Sequence, residues 1–332
     1  MIPEVTPNYI ENVRIAPEYF EEALSDPLNP GPLTERDTLT LVTGSGSSYT
    51  MALLMSDLLR QTGRRARTIH PYELVRHQRL DDELILCISQ SGETTDILDA
   101  LERAENAGCP TVGVTAAPDS SLGRRVDHRI TFDPASEYIL SRSCGVLSCL
   151  GRLLKLHRQL TDSSEVPTGG VSRAVKRVAT VTAEQLEGRR GVRIADEFVF
   201  LAGGGLGPIA TESALTVQEA SFLGAKAYDI KNVAHGKLFR QGPLSDIVVV
   251  LLEARDDDAA VFDAAEDALK QLGHEPIRVS SAFAQPWAAA DTLAWALAHS
   301  AGLNELVGLD LSNPPHLETV QTLLDQDISP QS

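Results

Sequence analysis

The sequence is poor in cysteine and has no long apolar run. Its four cysteines, Cys87, Cys109, Cys144 and Cys149, form no C-x-x-C pair. We therefore expect buried, reduced thiols in place of a disulfide framework or a redox motif. No apolar stretch reaches the length of a membrane span, and the first residues lack a basic segment followed by an apolar one. These absences predict a cytoplasmic protein without a membrane anchor.

Positive charge is also scarce. The 29 basic residues are outnumbered by 46 acidic ones, which gives a net charge of −17. Such a chain repels nucleic acid and anionic membranes, so we expect a small-molecule ligand and neither of those partners. A bound phosphate would have to be held by local dipoles. Histidine pairs with the spacing of metal ligands, such as H-E-x-x-H, are also missing. Neither a metal ion nor another cofactor is therefore expected.

Apolar runs that indicate strands alternate with segments of helical spacing, a pattern typical of a parallel α/β sheet. In the first half, the predicted strands are 39–43, 84–89, 111–115 and 129–132, and the predicted helices are 49–61, 96–107 and 142–160. In the second half, the predicted strands are 198–202, 246–252 and 275–279, and the predicted helices are 209–223, 258–272 and 286–301.

The polar, Pro/Gly-containing segment 163–170 is the best candidate for a linker. It divides the chain into predicted domains at 1–165 and 173–332. We expect each domain to be a parallel sheet flanked by helices, in a three-layer sandwich of flavodoxin-like or Rossmann-like type.

The segment 84–95 carries the most informative pattern. The apolar run 84–88 predicts a buried strand, and the hydroxyl-rich turn SQSGET follows at 89–94, just before a predicted helix. Free N–H groups and the helix dipole at such a helix start favour an anion. The turn lacks lysine and arginine and is not a P-loop, which favours a phosphate monoester over a nucleotide. An ordinary capped helix is the alternative.

A second hydroxyl-rich turn, GSGSSY, occurs at 44–49 after the predicted strand 39–43. Its G-x-G start suggests a dinucleotide fold, but Tyr49 stands where the third glycine belongs, and no acidic residue ends a strand about 20 residues later. We favour the alternative that Ser47 and Ser48 line the same crevice as 89–94, because ligands bind at the carboxyl ends of neighbouring parallel strands.

The two halves align with each other. LVTGSG at 41–46 matches LAGGG at 201–205, and the strand 84–88 then falls opposite 247–251. After these strands the first half has SQSGET, whereas the second has EARDDD at 253–258. Three aspartates repel a phosphate at short range. We therefore predict one phosphate-binding copy and one copy that has lost this ability.

These motifs resemble those of the double SIS (sugar isomerase) domain family. The chain is similar to the isomerase half of glucosamine-6-phosphate synthase and to stand-alone aminosugar-phosphate deaminases and fructosamine-phosphate deglycases. SQSGET at 89–94 is highly specific for the family, and PIATESALTVQEAS at 208–221 and HG at 235–236 match its second half. The resemblance runs from about Thr40 to Leu317 and implies that each half is a SIS domain.

The resemblance implies roles for individual residues. The side chains that would hold the sugar phosphate are those of Ser48, Ser89, Gln90, Ser91 and Thr94. Leu140, after Ser136-Glu137-Tyr138, matches a segment whose backbone contacts the sugar. Glu219 would be the acid/base at C1 and C2, and His235 would open the ring or act as a proton partner. In the family this histidine often comes from the neighbouring subunit, which implies a homodimer.

The chain also departs from the synthase pattern. No lysine occurs at 271–332, so the Schiff-base lysine of the synthase is missing. Asn232 replaces the family's acidic residue three positions before the histidine, and Lys237 replaces the proline usually found after His-Gly. The chain begins near the first SIS domain and Met1 is not followed by a cysteine, so we expect no glutamine hydrolysis.

Three functions follow from this resemblance. The first is isomerisation of a ketose or amino-sugar 6-phosphate, either alone or coupled to ammonia release as in glucosamine-6-phosphate deamination. The second is deglycation of a fructosamine 6-phosphate, which begins with the same proton transfer. The third is a sugar-phosphate sensor, which would keep 89–94 and have no need of Glu219 or His235.

Overall fold

Two parallel sheets organise the computed structural model of this protein. The structure describes residues 4–76, 79–133, 140–161, 170–235 and 246–316, together with Val320, Thr322 and Gln326. Among these residues the first sheet has five strands and the second has four. Every strand pair in both sheets is parallel. The predicted α/β fold is therefore confirmed.

The elements follow one another in a βα alternation. Those of the first half are α1 (Tyr9–Ser25), β1 (Thr40–Gly44), α2 (Ser47–Gln61), β2 (Ala66–Thr68), α3 (Pro71–Arg76), β3 (Leu84–Ile88), α4 (Thr95–Ala107), β4 (Thr111–Thr115), α5 (Ser121–Arg125), β5 (His128–Thr131) and α6 (Ser143–Leu160). Those of the second half are α7 (Gly170–Gly188), β6 (Glu197–Ala202), α8 (Gly207–Ser221), β7 (Gly224–Asp229), β8 (Ile247–Glu253), α9 (Ala259–Gln271), β9 (Ile277–Ser280) and α10 (Ala288–Val307).

Strand order opens a crevice at the same position of both sheets. The order is β2-β1-β3-β4-β5 in the first sheet and β7-β6-β8-β9 in the second. The chain turns to opposite sides after β1 and after β3, so the crevice lies beyond the carboxyl ends of these two strands, and the same holds for β6 and β8. This topology agrees with the predicted alignment of the two halves.

Sequence patterns predicted the buried strands well and missed two strands at sheet edges. Every residue of β1, β3 and β4 is buried, which explains their continuous apolar runs. The missed strands are β2, which has three residues, and β7, in which most residues are partly or fully exposed. An edge strand with few apolar residues gives no periodic signal.

The helices α1 and α7 were also missed. Pro17 lies inside α1, where proline normally argues against a helix, yet the buried face of α1 packs against α6. The helix α7 begins at Gly170, which the predicted linker 163–170 had included. The rest of that linker lies outside the described residues.

The hydrophobic core continues from one half into the other. The helix α10 packs against α7 and α8 of its own half and also against α1 and α6. The Tyr9 hydroxyl lies 2.8 Å from the Ser300 hydroxyl at this junction. One set of buried side chains from each sheet belongs to a single shared cluster, whereas the remaining buried side chains of the two sheets lie in separate clusters. The shared cluster contributes to the position of α8 relative to the first sheet.

The four cysteines are free and buried, as predicted. Burial raises the pKa of Cys87 and Cys149 to about 12, so neither thiol ionises near neutral pH. None of the described helices is long and apolar enough to cross a membrane.

Candidate active site

The turn after β3 is shaped by its own hydroxyl groups. The Ser89 hydroxyl lies 3.1 Å from the Thr94 hydroxyl and accepts the N–H of Gly92 at 3.1 Å. Gly92 has φ +65°, and a Cβ there would lie 1.9 Å from the Ser120 hydroxyl oxygen. Only glycine fits this position. The structure thus brings Ser89 and Thr94 together in the predicted phosphate turn.

The helix that follows this turn begins without a side-chain cap. Thr94 is the N-cap residue of α4, but its side chain makes no capping hydrogen bond with the first N–H groups of the helix. Its hydroxyl faces Ser89 instead. Uncapped N–H groups at a helix start form an anion-binding position.

The other side chains of the turn point elsewhere. Glu93 accepts the N–H of Ser121 at 2.8 Å, and hydrogen bonding to Ser121 lowers the pKa of Glu93. This carboxylate therefore caps α5 and does not occupy the start of α4. Ser91 accepts the N–H of Glu93 at 3.3 Å. The Gln90 side chain packs against Gly145 in the first turn of α6, where a Cβ would lie 2.3 Å from Gln90 Nε2.

The turn after β1 reaches across to the second half of the molecule. The Thr50 and Ser47 hydroxyls both form hydrogen bonds with the carboxylate of Glu212 in α8. Ser47 therefore contacts a protein carboxylate. Ser48 is half-buried, and no hydrogen bond to its hydroxyl occurs among the described residues.

Glu212 is a site residue that the sequence analysis did not single out. It is 1% exposed, and burial raises its pKa. The sequence could have indicated Glu212 as a neighbour of Glu219. The two are seven residues apart, and residues with this spacing lie on the same face of a helix. A buried carboxylate held by hydroxyl groups is costly to remove from water, and such groups concentrate at functional sites.

Glu219 lies in the last turn of α8, and the pKa of its carboxyl group is strongly raised. Burial and, to a smaller extent, the carboxylate of Glu212 raise the pKa of Glu219 to about 8, against an opposing effect of Arg142. The side chain is partly exposed, so a ligand can reach it. A carboxyl group with a pKa near neutrality can both accept and release a proton at physiological pH.

The last turns of α10 and the loop after it hold the surroundings of Glu219 together. The Asn304 side chain donates to the carbonyl of Ala220 at 2.9 Å and to that of Leu309 at 3.1 Å. The Leu140 N–H donates to the carbonyl of Leu311 at 3.1 Å. This loop thus ties the end of α8 to the segment that precedes α6. The residues 136–138, predicted beside Leu140, lie outside the described residues.

A cleft of about 860 Å³ lies beside these groups. Its walls are formed by the turn after β1, by α3, by α8 and by β7, and Asp96 of α4 also lines it. Its lining includes neither the turn 89–94 nor Glu219. Small-molecule sites have volumes of this order.

His235 and Glu219 lie near opposite ends of β7. Glu219 precedes the first residue of β7, whereas His235 follows its last residue and is exposed. The six residues of β7 span about 16–20 Å at the usual rise per strand residue. The structure therefore does not bring Glu219 and His235 of one chain together. Lys237 lies outside the described residues.

The corresponding crevice of the second sheet is closed by its own side chains. The Gln285 side chain accepts the N–H of Gly205 at 2.8 Å and donates to Asp257 at 3.2 Å. Asp257 also accepts the N–H of Ala254 at 2.8 Å, and Asp258 caps α9. These carboxylates occupy the donors that a phosphate would need, which agrees with the predicted loss of phosphate binding in this copy.

A protein-family model matches the part of the chain that forms the first crevice. Residues 36–149 match the SIS domain. The match covers the first sheet and both of its hydroxyl-rich turns. That the second half is another SIS domain stays a prediction.

The chain is also similar to characterised proteins. It is 26% identical over 245 residues to glutamine–fructose-6-phosphate aminotransferase (isomerizing) of Sulfolobus acidocaldarius, covering 68% of this chain and 40% of the relative. It is 33% identical over 169 residues to the enzyme of that name from Treponema pallidum, covering 47% of this chain and 26% of the relative. The chain thus spans two fifths or less of the length of these relatives.

Solved structures share the fold over nearly the whole chain. Glucosamine-6-phosphate deaminase from Thermotoga maritima superposes with a TM-score of 0.80 at 19% identity, covering 93% of this chain and 98% of that chain. Tagatose-6-phosphate ketose/aldose isomerase from Escherichia coli gives a TM-score of 0.79 at 17% identity, covering 94% and 98%. Both sheets therefore belong to the shared fold.

The acidity of Glu219 predicts a pH-dependent effect of Glu219→Gln on stability. The folded state raises the pKa of this carboxyl from 4.5 to about 8, so ionisation destabilises the wild type as pH rises through this window. The variant should melt about 3–6 °C higher than wild type near pH 9 and at the same temperature near pH 4. Thermal unfolding followed by circular dichroism measures this difference in melting temperature.

The substitution Glu187→Gln, at an exposed position, is the control, and its melting temperature should show no such dependence on pH. Equal melting temperatures of Glu219→Gln and wild type at both pH values would contradict the buried acidity.

Proposed function

We propose that the protein is a phosphosugar isomerase or aminosugar-phosphate deaminase that acts on a ketose or amino-sugar 6-phosphate. In this proposal residues 1–165 and 173–332 are two SIS domains, of which the first binds the phosphate and the second supplies the acid/base. The observation that carries the proposal is the raised pKa of Glu219, about 8, beside the crevice with the uncapped helix start.

The phosphate would bind at the start of α4. The hydroxyls of Ser89 and Thr94 and the free N–H groups of the helix supply donors without a lysine or arginine in the turn. We assign Ser48, Gln90 and Ser91 to the same ligand as supporting contacts. When the phosphate on C6 is bound there, the C1 and C2 end of the sugar is free to extend toward α8.

Glu219 would then move a proton between C1 and C2. As a carboxylate it removes the proton from one carbon, and as a carboxylic acid it returns the proton to the other, which interconverts aldose and ketose. With an amino group at C2, the same transfer gives an imine that water hydrolyses to a ketose and ammonia. Burial, with a smaller contribution from nearby Glu212, raises the pKa of Glu219 to about 8.

His235 would enter the site from a second subunit. Its position beyond β7 keeps it away from Glu219 of its own chain, so a role in ring opening requires a homodimer. The sensor alternative leaves the perturbed carboxyl pair of α8 unexplained, since binding a phosphate needs neither Glu212 nor Glu219.

Substitution of Glu219 separates catalysis from binding. Glu219→Gln should lower turnover of fructose 6-phosphate and glucosamine 6-phosphate by at least about 10³-fold, because the amide cannot carry the proton between C1 and C2. Coupled assays of isomerised sugar and released ammonia measure turnover, and ligand-induced thermal shift measures binding, which should persist. Ser91→Ala with Thr94→Val is the converse control and should abolish the thermal shift. A wild type that binds these sugars and converts none of them would contradict the proposed enzyme.

Mixing two inactive variants tests whether His235 acts across subunits. A hybrid of Glu219→Gln and His235→Ala chains has one site with both native side chains if His235 comes from the partner, so random mixing should restore about a quarter of wild-type activity. Coexpression with two different affinity tags yields the hybrid for assay. Inactive purified hybrids would show that the histidine does not act across the interface.

A further inference from the structure

A cavity of about 230 Å³ lies in the second half of the molecule, separate from the cleft beside α8. It is enclosed by α7, by the end of β9 and by the first two turns of α10, and none of its lining residues lines that cleft. An apolar cavity of about 150 Å³ in another protein binds benzene, so this one has room for a ligand of at least about six heavy atoms.

Two arginines that line this cavity have unused hydrogen-bond donors. Arg190 is exposed, and its side chain forms no hydrogen bond or ion pair with any residue that the structure describes. Arg177 donates one long hydrogen bond, 3.4 Å from Nε to Asp291, and its terminal amines form none within the described ranges. The third arginine, Arg278, is already bound to both oxygens of Glu253, at 2.7 and 2.9 Å.

The acidic groups of the cavity have little capacity left to bind a ligand. Asp291 is buried, and its oxygens accept the Ser281 hydroxyl at 2.6 Å and the Ala282 N–H at 3.2 Å. Glu184 is exposed at the rim, 3.9 Å from Arg177. The unused hydrogen-bonding capacity inside the cavity therefore belongs mainly to donors, which favours an anionic ligand.

The backbone turn that carries Arg190 is fixed in place. The Gln185 side chain donates to the Arg190 carbonyl at 3.0 Å. Gly191 has φ +72°, and a Cβ there would lie 1.9 Å from Ile277 Cδ1, so this position requires glycine. The unpaired guanidinium of Arg190 is thus attached to an anchored backbone at the cavity.

The remaining wall of the cavity is apolar and carries one further donor. Val181, Val279 and Trp295 line it. The Trp295 ring stacks on His299 with ring centroids 4.8 Å apart and planes 15° apart, which fixes the orientation of the indole. The indole N–H forms no hydrogen bond with another described residue. A ligand with a short aliphatic part as well as a negative charge fits such a wall.

We propose that this cavity binds a small organic monocarboxylate. The unused donors of Arg177 and Arg190 hold the carboxylate, because a planar guanidinium matches its two oxygens, and the aliphatic part packs against Trp295. The buried carboxylate of Asp291 disfavours a dianion such as phosphate, since repulsion grows with the charge of the ligand. The inference is independent of the proposed function, because that function uses no residue of this cavity.

Tryptophan fluorescence gives a direct measurement of binding here. The chain has two tryptophans, so Trp287→Phe leaves Trp295 as the only one. Titration of this variant with butyrate at constant ionic strength should change the Trp295 emission to saturation. Butyramide has the same size without the charge and should bind at least about 10-fold more weakly. Isothermal titration calorimetry of the wild type should give the same two dissociation constants without the substitution.

A matched pair of variants tests the assigned cation. Arg190→Gln should weaken butyrate binding by about 10–100-fold, because it removes a charge-assisted hydrogen bond. Arg189→Gln is the control, since the neighbouring Arg189 is paired with Glu305 and does not line the cavity, and its butyrate binding should be unchanged. Both variants should melt at the wild-type temperature, because exposed side chains are replaced.

Three results overturn the inference. They are no binding of butyrate, equal binding of butyrate and butyramide, and equal binding of butyrate by Arg190→Gln and Arg189→Gln. Inorganic phosphate is the competing anion, and phosphate that binds at least as tightly as butyrate would overturn the assignment of a monocarboxylate. None of these results changes the proposed function, which is tested by turnover of sugar phosphates.

Discussion

The hydrogen bonds between Glu212 and the hydroxyls of Thr50 and Ser47 connect the two halves of the molecule at the point where the chemistry is proposed. Glu212 belongs to α8 of the second half, and both hydroxyls belong to the first turn of α2. A carboxylate that is 1% exposed depends on these donors, because no water compensates for their loss. The contact therefore sets the position of α8 along the first crevice, and with it the position of Glu219 two turns later.

The two crevices differ in what occupies their backbone donors. In the first, Thr94 leaves the start of α4 uncapped and Glu93 is bound to α5. In the second, Asp258 caps α9 and Gln285 bonds to Gly205. One topology thus supports an open anion position and a closed one. The second half is then free to place a carboxyl group, Glu219, where the first half holds the ligand.

The sequence predicted those parts of the site that depend on local pattern. The buried strands β1 and β3 and the turns that follow them were visible because a continuous apolar run ends in glycine and hydroxyl residues. Contacts between distant segments were not visible. The hydroxyl partners of Glu212 do not follow from spacing, because the packing of α8 against α2 produces this contact. The separation of His235 from Glu219 became clear only once β7, an edge strand without an apolar run, was known.

The most direct test of Glu219 as the acid/base is hydrogen exchange between solvent and sugar. Fructose 6-phosphate is incubated with the protein in deuterated water, and deuterium at C1 is measured by proton NMR. Wild type should incorporate deuterium at C1, because the proton that Glu219 removes exchanges with solvent before it returns. Glu219→Gln should incorporate none, although it still binds the sugar. Incorporation by the variant at the wild-type rate would show that another group moves the proton and would contradict the account.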